Sequence, residues 1–156
     1  MKLIKGQALE DLCANIKDCL PPNYTELDIR LGNKGWVEKE RSSSQRIHCL
    51  NPKDWNSHLK PIDIPNHGYS LPAWRFMLAE TVEYFDMPLH VQGIMTLRSW
   101  AAKSGLEQSS SLTLKPGWSG YLILELFNSL ATYDLLLKPG LAIAQIQFFD
   151  IGGEHE

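Results

Sequence analysis

The sequence predicts a mainly β domain, a distorted jelly roll or antiparallel β-barrel with a short N-terminal helix. Two observations support this prediction. After residue 20 the chain consists of short apolar runs broken by Gly, Pro, Asn and Ser. In addition, Pro116-Gly117 and Pro139-Gly140 each precede an apolar run of strand length. Pro followed by Gly suits a type II turn, and turns that alternate with strands are typical of small closed β folds.

The N-terminal segment differs from the rest in its periodicity. Apolar residues at helical spacing predict one amphipathic helix over residues 7–20, which Pro21-Pro22 stops. Alternation then predicts a strand over residues 27–31, ending in a turn at Gly32-Asn33. Residues 40–70 are polar and rich in Pro, which predicts an irregular excursion with two short strands. Apolar runs predict the remaining strands, within 74–85, 89–98, 119–128 and 141–150.

Length and composition indicate one globular domain over residues 1–156. Hydrophobic residues make up 44% of the chain and charged residues 21%, which is typical of folded proteins. The net charge of -3 does not suit a protein that grips long nucleic acid through its phosphates. It leaves room for a local basic pocket that holds one small anion.

Cysteine usage and the N-terminus predict a cytoplasmic protein. Cys13, Cys19 and Cys49 form no CxxC pair, so neither a disulfide framework nor a four-ligand zinc site is expected. The longest apolar runs fall short of the roughly 18 residues that a membrane span needs. The first residues turn acidic too early for a signal peptide, so no membrane association is expected.

Several common catalytic motifs are missing from the sequence. It has no GxxxxGK[ST] or GxGxxG phosphate loop, no GxSxG elbow and no HExxH. It also lacks the HxE and PCxxC pair that zinc-dependent base deaminases use. P-loop, Rossmann, serine-hydrolase and zinc-deaminase chemistry are therefore excluded.

Glu125 is the most informative residue because it interrupts an apolar strand. Residues 121–127 place Tyr121, Ile123, Glu125 and Phe127 on one face, and three leucines occupy the other face. Both faces are apolar, which predicts a strand buried on both sides and a raised pKa for Glu125. Such a glutamate can take and return a proton. Pairing with a buried Arg, or a place at a strand edge, is the structural alternative.

A second candidate feature is the segment from Arg98 to Gly105. Ser99 is a good N-cap, the next residues can form one or two helical turns, and Gly105 suits the C-terminal end. Arg98 and Lys103 add positive charge, so the segment predicts a phosphate-binding turn. The alternative is a capped connector with two solvated basic residues.

These stretches resemble the dCTP deaminases of the dUTPase-like superfamily. The resemblance covers most of the chain in the same order, and the segment that contains Glu125 is its most specific part. The matching stretches are Thr25–Asn33, Leu97–Leu106, Pro116–Asn128 and Pro139–Gln145.

The resemblance implies a dUTPase-like β-barrel that forms homotrimers with active sites between subunits. It also implies hydrolytic deamination of a deoxycytidine nucleotide, dCTP to dUTP and ammonia, without zinc. Glu125 would act as general base and acid, and Ser99 would hold the attacking water and touch the triphosphate. Arg98 would bind phosphate, and Trp118 would lie beside the deoxyribose. Mg²⁺ would be bound through the triphosphate, and a carbonyl of Ser110 or Ser111 would help place the water.

Some residues depart from the family pattern. Trp100 stands where the family has a second phosphate-contacting Ser, and Lys103 stands where it has an Arg near the catalytic glutamate. Lys103 keeps the charge but not the planar fork of Arg. Lys115 replaces an Asp that meets the sugar 3′-hydroxyl, which counts against dUTP hydrolysis. The family's C-terminal segment, expected to close over the nucleotide, has no counterpart before Glu156.

Three alternatives remain open. The first is a dUTP pyrophosphatase, alone or combined with deamination, against which Lys115 is the main evidence. The second is a trimeric nucleotide-binding relative without catalysis, which the changes at Trp100, Lys103 and Lys115 favour. The third is a jelly-roll scaffold without a ligand, which leaves Glu125 and the Arg98–Ser99 turn unexplained.

Overall fold

The computed structural model describes residues 1–40, 47–109 and 113–153. These residues form two helices and eleven strands, which are joined by turns and loops. The helices are α1 (Gln7–Cys13) and α2 (Ser99–Lys103). The strands are β1 (Lys2–Leu3), β2 (Leu27–Glu38), β3 (Leu59–Asp63), β4 (Tyr69–Leu71), β5 (Phe76–Asp86), β6 (Val91–Leu97), β7 (Leu106–Gln108), β8 (Thr113–Leu114), β9 (Ser119–Asn128), β10 (Leu135–Leu137) and β11 (Ala142–Asp150).

Nine strands form one curled antiparallel sheet in the order β7-β9-β5-β2-β11-β6-β8, with β1 added to β11 and β3 to β2. Strands β4 and β10 pair separately. The inner face of the sheet holds the core, whose fully buried side chains include Leu9, Ile29, Phe85, Leu126 and Phe148. The predicted mainly β, barrel-like fold with a short N-terminal helix is therefore confirmed. No helix among the described residues is long and apolar enough to cross a lipid bilayer.

The two Pro-Gly turns form as predicted. Trp118 N donates to Lys115 O at 3.2 Å, and Leu141 N donates to Lys138 O at 3.3 Å. Gly117 and Gly140, the third residues of these turns, have φ values of 70° and 85°. These positive values define type II turns and need glycine. Strand β9 begins directly after the first turn, with the bounds that the sequence predicts.

The predicted helix over residues 7–20 is too long, because α1 ends at Cys13. Ile16 is buried against the core, and Lys17 forms an isolated bridge with Tyr84 of β5, with backbone N–O distances of 3.0 and 3.1 Å. Backbone pairing with the sheet thus replaces continuation of the helix. Asp18 follows with a φ of 62°, a left-handed conformation that ends any helix.

The predicted turn at Gly32-Asn33 is also wrong. Strand β2 runs through these residues, and its register against β5 shifts between Leu31 and Gly35. The shift is a bulge that brings the backbones close together. A Cβ atom on Gly32 would lie 2.6 Å from Glu80 O, so the site accepts only glycine. The two short strands predicted within residues 40–70 are β3 and β4.

Candidate active site

Glu125 lies in β9, half-buried and opposite Leu78 of β5. Both backbone polar groups of Glu125 are held from the end of β7. Glu125 N donates to the side-chain Oε1 of Gln108 at 3.0 Å, and Ser109 N donates to Glu125 O at 2.9 Å. In a longer partner strand, a backbone carbonyl would accept the hydrogen bond from Glu125 N. Here the side chain of Gln108 accepts it. Both hydrogen bonds therefore fix the Glu125 backbone from the β7 side of the strand.

The two faces of β9 differ in exposure, so the prediction of burial on both sides is wrong for the single chain. Leu124 and Leu126 point into the core and are fully buried. On the opposite face Tyr121 is 41% exposed and Ile123 is 40% exposed. The core of this curled sheet lies on its inner face, and the outer face is left open. Glu125 lies on this open face, among apolar neighbours.

The strands that precede β9 in the chain pair with only a short part of it. Strand β7 pairs with β9 only from Leu106 to Gln108, opposite residues 126–128. Strand β8 then pairs with β6 instead. Among the described residues, the segment 119–124 of β9 therefore has a strand partner only on its β5 side. Within residues 1–40, 47–109 and 113–153, this edge of β9 beside Glu125 is therefore open.

The predicted phosphate-binding turn forms a short helix, α2, after β6. Arg98 is its N-cap residue, with no side-chain cap, whereas the sequence predicts Ser99 at this position. With five residues, α2 adds little dipole, so any anion affinity depends on side chains. Ser99, Trp100 and Lys103 are all exposed, whereas Ala101 is buried.

Arg98 is held in place by two polar neighbours. Its Nη1 donates to Asp28 Oδ1 at 2.9 Å and to Gln145 Oε1 at 3.0 Å. Its side chain is 33% exposed, so the guanidinium stays in reach of solvent. Asp28 lies in β2, Gln145 lies in β11, and Arg98 directly follows β6. Three strands therefore set the position of the Arg98 side chain.

α2 and the end of β9 are connected through Gly105 and β7. Both the backbone N and the Oγ of Ser129 donate to Gly105 O, at 3.0 and 2.8 Å. Leu106 then pairs with Asn128, the last residue of β9. Glu125 lies three residues before Asn128, a strand distance of about 10 Å. The structure therefore brings α2 and Glu125 to the same end of the sheet.

Trp118 lies at the opposite end of β9. Its ring is half-buried, and the ring centroids of Trp118 and Phe85 are 6.5 Å apart. Seven residues separate Trp118 from Glu125, which is about 23 Å along an extended strand. A small ligand therefore does not touch both side chains of one chain. Ser110 and Ser111 are outside the described residues.

Sequence reasoning missed a second carboxylate, Glu83. It is fully buried and accepts hydrogen bonds from Arg30 N at 3.0 Å and Arg30 Nε at 2.8 Å. Arg30 also donates through Nη2 to Asp18 O. The signal was present in the sequence, because Glu83 continues the inward-facing alternation of β5 through Met77, Ala79, Thr81 and Phe85. Gln108 carried no such signal, since its role depends on where β7 ends.

Two grooves lie near this region of the surface. One, of about 420 Å³, has a lining that includes Glu38 of β2, Arg75 in the turn before β5, and Phe76 of β5. The other, of about 360 Å³, lies at the β2–β5 bulge and includes Glu80 and Tyr121. Glu125 and Arg98 line neither groove.

Comparisons with known proteins agree on one family. The dCTP deaminase-like family model matches residues 5–151. The chain is similar to a dCTP deaminase of Buchnera aphidicola, with 31% identity over 132 residues, covering 78% of this chain and 66% of the relative. It is also similar to a dUMP-forming dCTP deaminase of Corynebacterium glutamicum, with 34% identity over 90 residues, covering 57% and 47%.

Among solved structures, the crystal structure of 2′-deoxycytidine 5′-triphosphate deaminase from Agrobacterium tumefaciens has a similar fold. The TM-score is 0.72 at 18% identity, over 94% of this chain and 48% of that one. The chain thus spans about half to two thirds of the length of these proteins. The match over residues 5–151 shows that the chain belongs to the dCTP deaminase-like family.

Proposed function

We propose that this protein deaminates a deoxycytidine nucleotide by zinc-independent hydrolysis, with dCTP giving dUTP and ammonia. The observation that carries the proposal is the environment of Glu125. It is a half-buried carboxylate, and among the described residues no basic side chain forms an ion pair with it. It lies beside the open edge of β9 on an apolar face. A carboxylate that is positioned but not neutralised can exchange protons with a substrate.

In the proposed reaction Glu125 takes a proton from a water molecule, and the water oxygen bonds to C4 of cytosine. Glu125 then gives this proton to the 4-amino nitrogen. The C4–N bond breaks and ammonia leaves, while the proton that remains on the new oxygen moves to N3 as uracil forms. Ser99 would hold the water, and Lys103 would supply positive charge near Glu125.

The open edge of β9 supports a place for the pyrimidine. Unpaired backbone N–H and C=O groups at a strand edge can bond to the donors and acceptors of a base. Glu125 would face the base of the bound nucleotide. The roughly 23 Å between Glu125 and Trp118 of one chain is too long for the base and sugar of one nucleotide, so in a homotrimer Trp118 of a neighbouring subunit would lie beside the sugar.

The phosphates would be bound by α2. Arg98 and Lys103 would supply the charge and Ser99 a hydroxyl group, and Trp100 places an indole where the family has a second Ser. A carbonyl of Ser110 or Ser111 would help place the attacking water. Mg²⁺ would be bound by the triphosphate oxygens and water, as is usual for this ion. The described residues contain no group of three or more His, Cys, Asp or Glu side chains that could hold a metal ion. The proposal assigns the ion to the nucleotide, as the resemblance implies.

A homotrimer with sites between subunits would complete the site. Tyr121 and Ile123, beside Glu125, are large apolar side chains that remain 41% and 40% exposed in the single chain. Exposed apolar patches of this kind indicate contact surfaces. A neighbouring subunit on this face would enclose Glu125 and exclude water from the reaction.

A second candidate is combined deamination and dUTP cleavage, which would give dUMP. The similarity to a dUMP-forming relative favours it. Lys115 counts against it, because that position has no carboxylate to orient a water toward the phosphates. Catalytically silent nucleotide binding is the third candidate.

One assay separates these candidates. The protein is incubated with dCTP, dCMP, CTP and dUTP with Mg²⁺, and ammonia and pyrophosphate are measured. We expect ammonia from dCTP, at least tenfold less from CTP, and no pyrophosphate. Pyrophosphate from dCTP or dUTP would favour the combined enzyme. Thermal stabilisation by dCTP without either product would favour silent binding.

A further inference from the structure

Trp74 combines an unusual backbone with an exposed side chain. It lies between β4 and β5, has a φ of 59°, and is 60% exposed. Bulky L-residues rarely adopt this left-handed conformation, because Cβ crowds the backbone. Strained residues tend to occur at functional sites, where the side chain matters more than the backbone cost. A glycine would fit this backbone with less strain.

The surrounding hydrogen bonds hold this conformation. Trp74 N donates to Asn128 O at 3.0 Å, and Asn128 N donates to Arg75 O at 3.0 Å. The Asn128 side chain is fully buried, and its Nδ2 donates to Leu71 O at 3.0 Å and to Tyr133 O at 2.8 Å. The turn is therefore fixed from several sides, which sets where the exposed indole leaves the backbone.

That position adjoins the face that carries Glu125. The ring centroids of Trp74 and Phe127 are 6.0 Å apart, with the planes inclined by 56°. Phe127 and Glu125 point to the same side of β9 and are two residues apart, which is about 7 Å along the strand. Trp74 thus extends the apolar surroundings of Glu125 on the β5 side, opposite the open edge of β9.

We infer that Trp74 is a wall of the nucleobase site, where its indole contacts the flat face of the pyrimidine. This inference rests on the proposed function of Glu125. Stacking on an aromatic ring does not distinguish cytosine from uracil, since both have a π-face. It strengthens binding of substrate and product alike and leaves the chemical step unchanged. Loss of the indole should therefore raise KM and leave kcat unchanged.

The test uses the full chain with Trp74→Gly, and Trp55→Gly as a matched control. Trp55 is a comparably exposed tryptophan, 54% exposed, in the segment before β3. We expect Trp74→Gly to raise the KM for dCTP about tenfold, the lower range of base stacking. The kcat should stay within about twofold, and the Kd of dUTP should rise by the same factor as the KM. The Tm should stay equal or rise, because glycine relieves the backbone.

The possible failures are distinguishable. An unchanged KM and Kd in Trp74→Gly would overturn the inference and leave the proposed function intact. So would a lower Tm with unchanged nucleotide affinity, which would make Trp74 a packing residue. A shift to a smaller species in size-exclusion chromatography would instead assign it to contact between copies of this chain. A wild-type protein that neither binds nor converts dCTP would overturn the proposed function and this inference together.

Discussion

Glu83 and Glu125 lie on neighbouring strands, but their side chains have opposite surroundings. Glu83 in β5 is fully buried, and Arg30 contributes both a backbone and a side-chain hydrogen bond to it. Glu125 in β9 is half-buried, and among the described residues it forms no ion pair. Only its backbone is held, by Gln108 and Ser109.

This difference indicates that the carboxylate of Glu83 is structural, whereas the carboxylate of Glu125 is available for proton transfer. A buried charge is tolerated only with a partner, and removing the partner leaves an uncompensated ion. Glu83 has that partner, so it joins β2, β5 and the segment after α1. Among the described residues, Glu125 has a backbone held by hydrogen bonds and a carboxylate without an ion-pair partner. Substitution should therefore affect stability at Glu83 and turnover at Glu125.

The largest expected effect is on catalysis in Glu125→Gln. The amide keeps the shape but cannot transfer protons, so kcat for dCTP should fall by about 10³-fold or more. The free energy of unfolding should change by less than about 1 kcal/mol, because no ion pair is broken. Ammonia release and urea denaturation measure the two quantities. Glu107→Gln, at an exposed position in β7, is the control and should retain full activity.

The next effect is on stability in Glu83→Gln. Arg30 would lose its ionic partner inside the fold, which should lower the free energy of unfolding by about 3 kcal/mol. Urea denaturation measures the loss. Glu38→Gln is the matched control, since Glu38 pairs with Arg75 at 3.5 Å on the surface. Exposed pairs of this kind contribute less than about 1 kcal/mol. Equal losses in the two variants would contradict the structural role of Glu83.

A smaller effect tests how Glu125 is held. Gln108→Met removes the acceptor for Glu125 N and leaves this donor without its partner. A displaced carboxylate should lower kcat about tenfold while KM for dCTP stays within about twofold. Steady-state kinetics check this split, and Gln92→Met in β6 is the control. A Gln108→Met enzyme with normal kcat would show that the contact does not position Glu125.

The smallest effect concerns the thiol of Cys19, on which the charge of Glu83 acts. Burial raises the pKa of Cys13 to about 12, and burial followed by the charge of Glu83 raises the pKa of Cys19. Removing that charge in Glu83→Gln should lower the pKa of Cys19 and increase its thiolate fraction. We expect alkylation of Cys19 at pH 8 to become a few-fold faster, while Glu125→Gln leaves the rate unchanged. Mass spectrometry gives the rate, and buried Cys13 reports any unfolding.

Much of the fold follows from local sequence. Pro116-Gly117 and Pro139-Gly140 fix their turns through φ alone, and β9 follows with its predicted bounds. The errors occur where tertiary contacts override local preference. The Lys17–Tyr84 bridge ends α1 early, and close approach of two backbones turns the predicted Gly32 turn into a bulge. Neither contact involves residues close in sequence.

The residues of the candidate site are likewise predictable from the sequence only in part. Glu125 could be predicted, because a carboxylate in an apolar strand is visible in the sequence. That its face stays open could not, since the curl of the sheet decides which face covers the core. The contributions of Gln108 and Trp74 depend on the register of β9 against β7 and on the turn before β5. Strand register is set by the whole sheet, so local patterns do not reveal it.

The most direct test of the account is binding and product formation in one sample of Glu125→Gln. The variant is titrated with dCTP by calorimetry, and the same solution is then analysed for dUTP and ammonia after prolonged incubation. We predict an affinity close to that of the wild type, with the bound dCTP unconverted. Conversion at a rate near that of the wild type would contradict the central claim that Glu125 moves the proton.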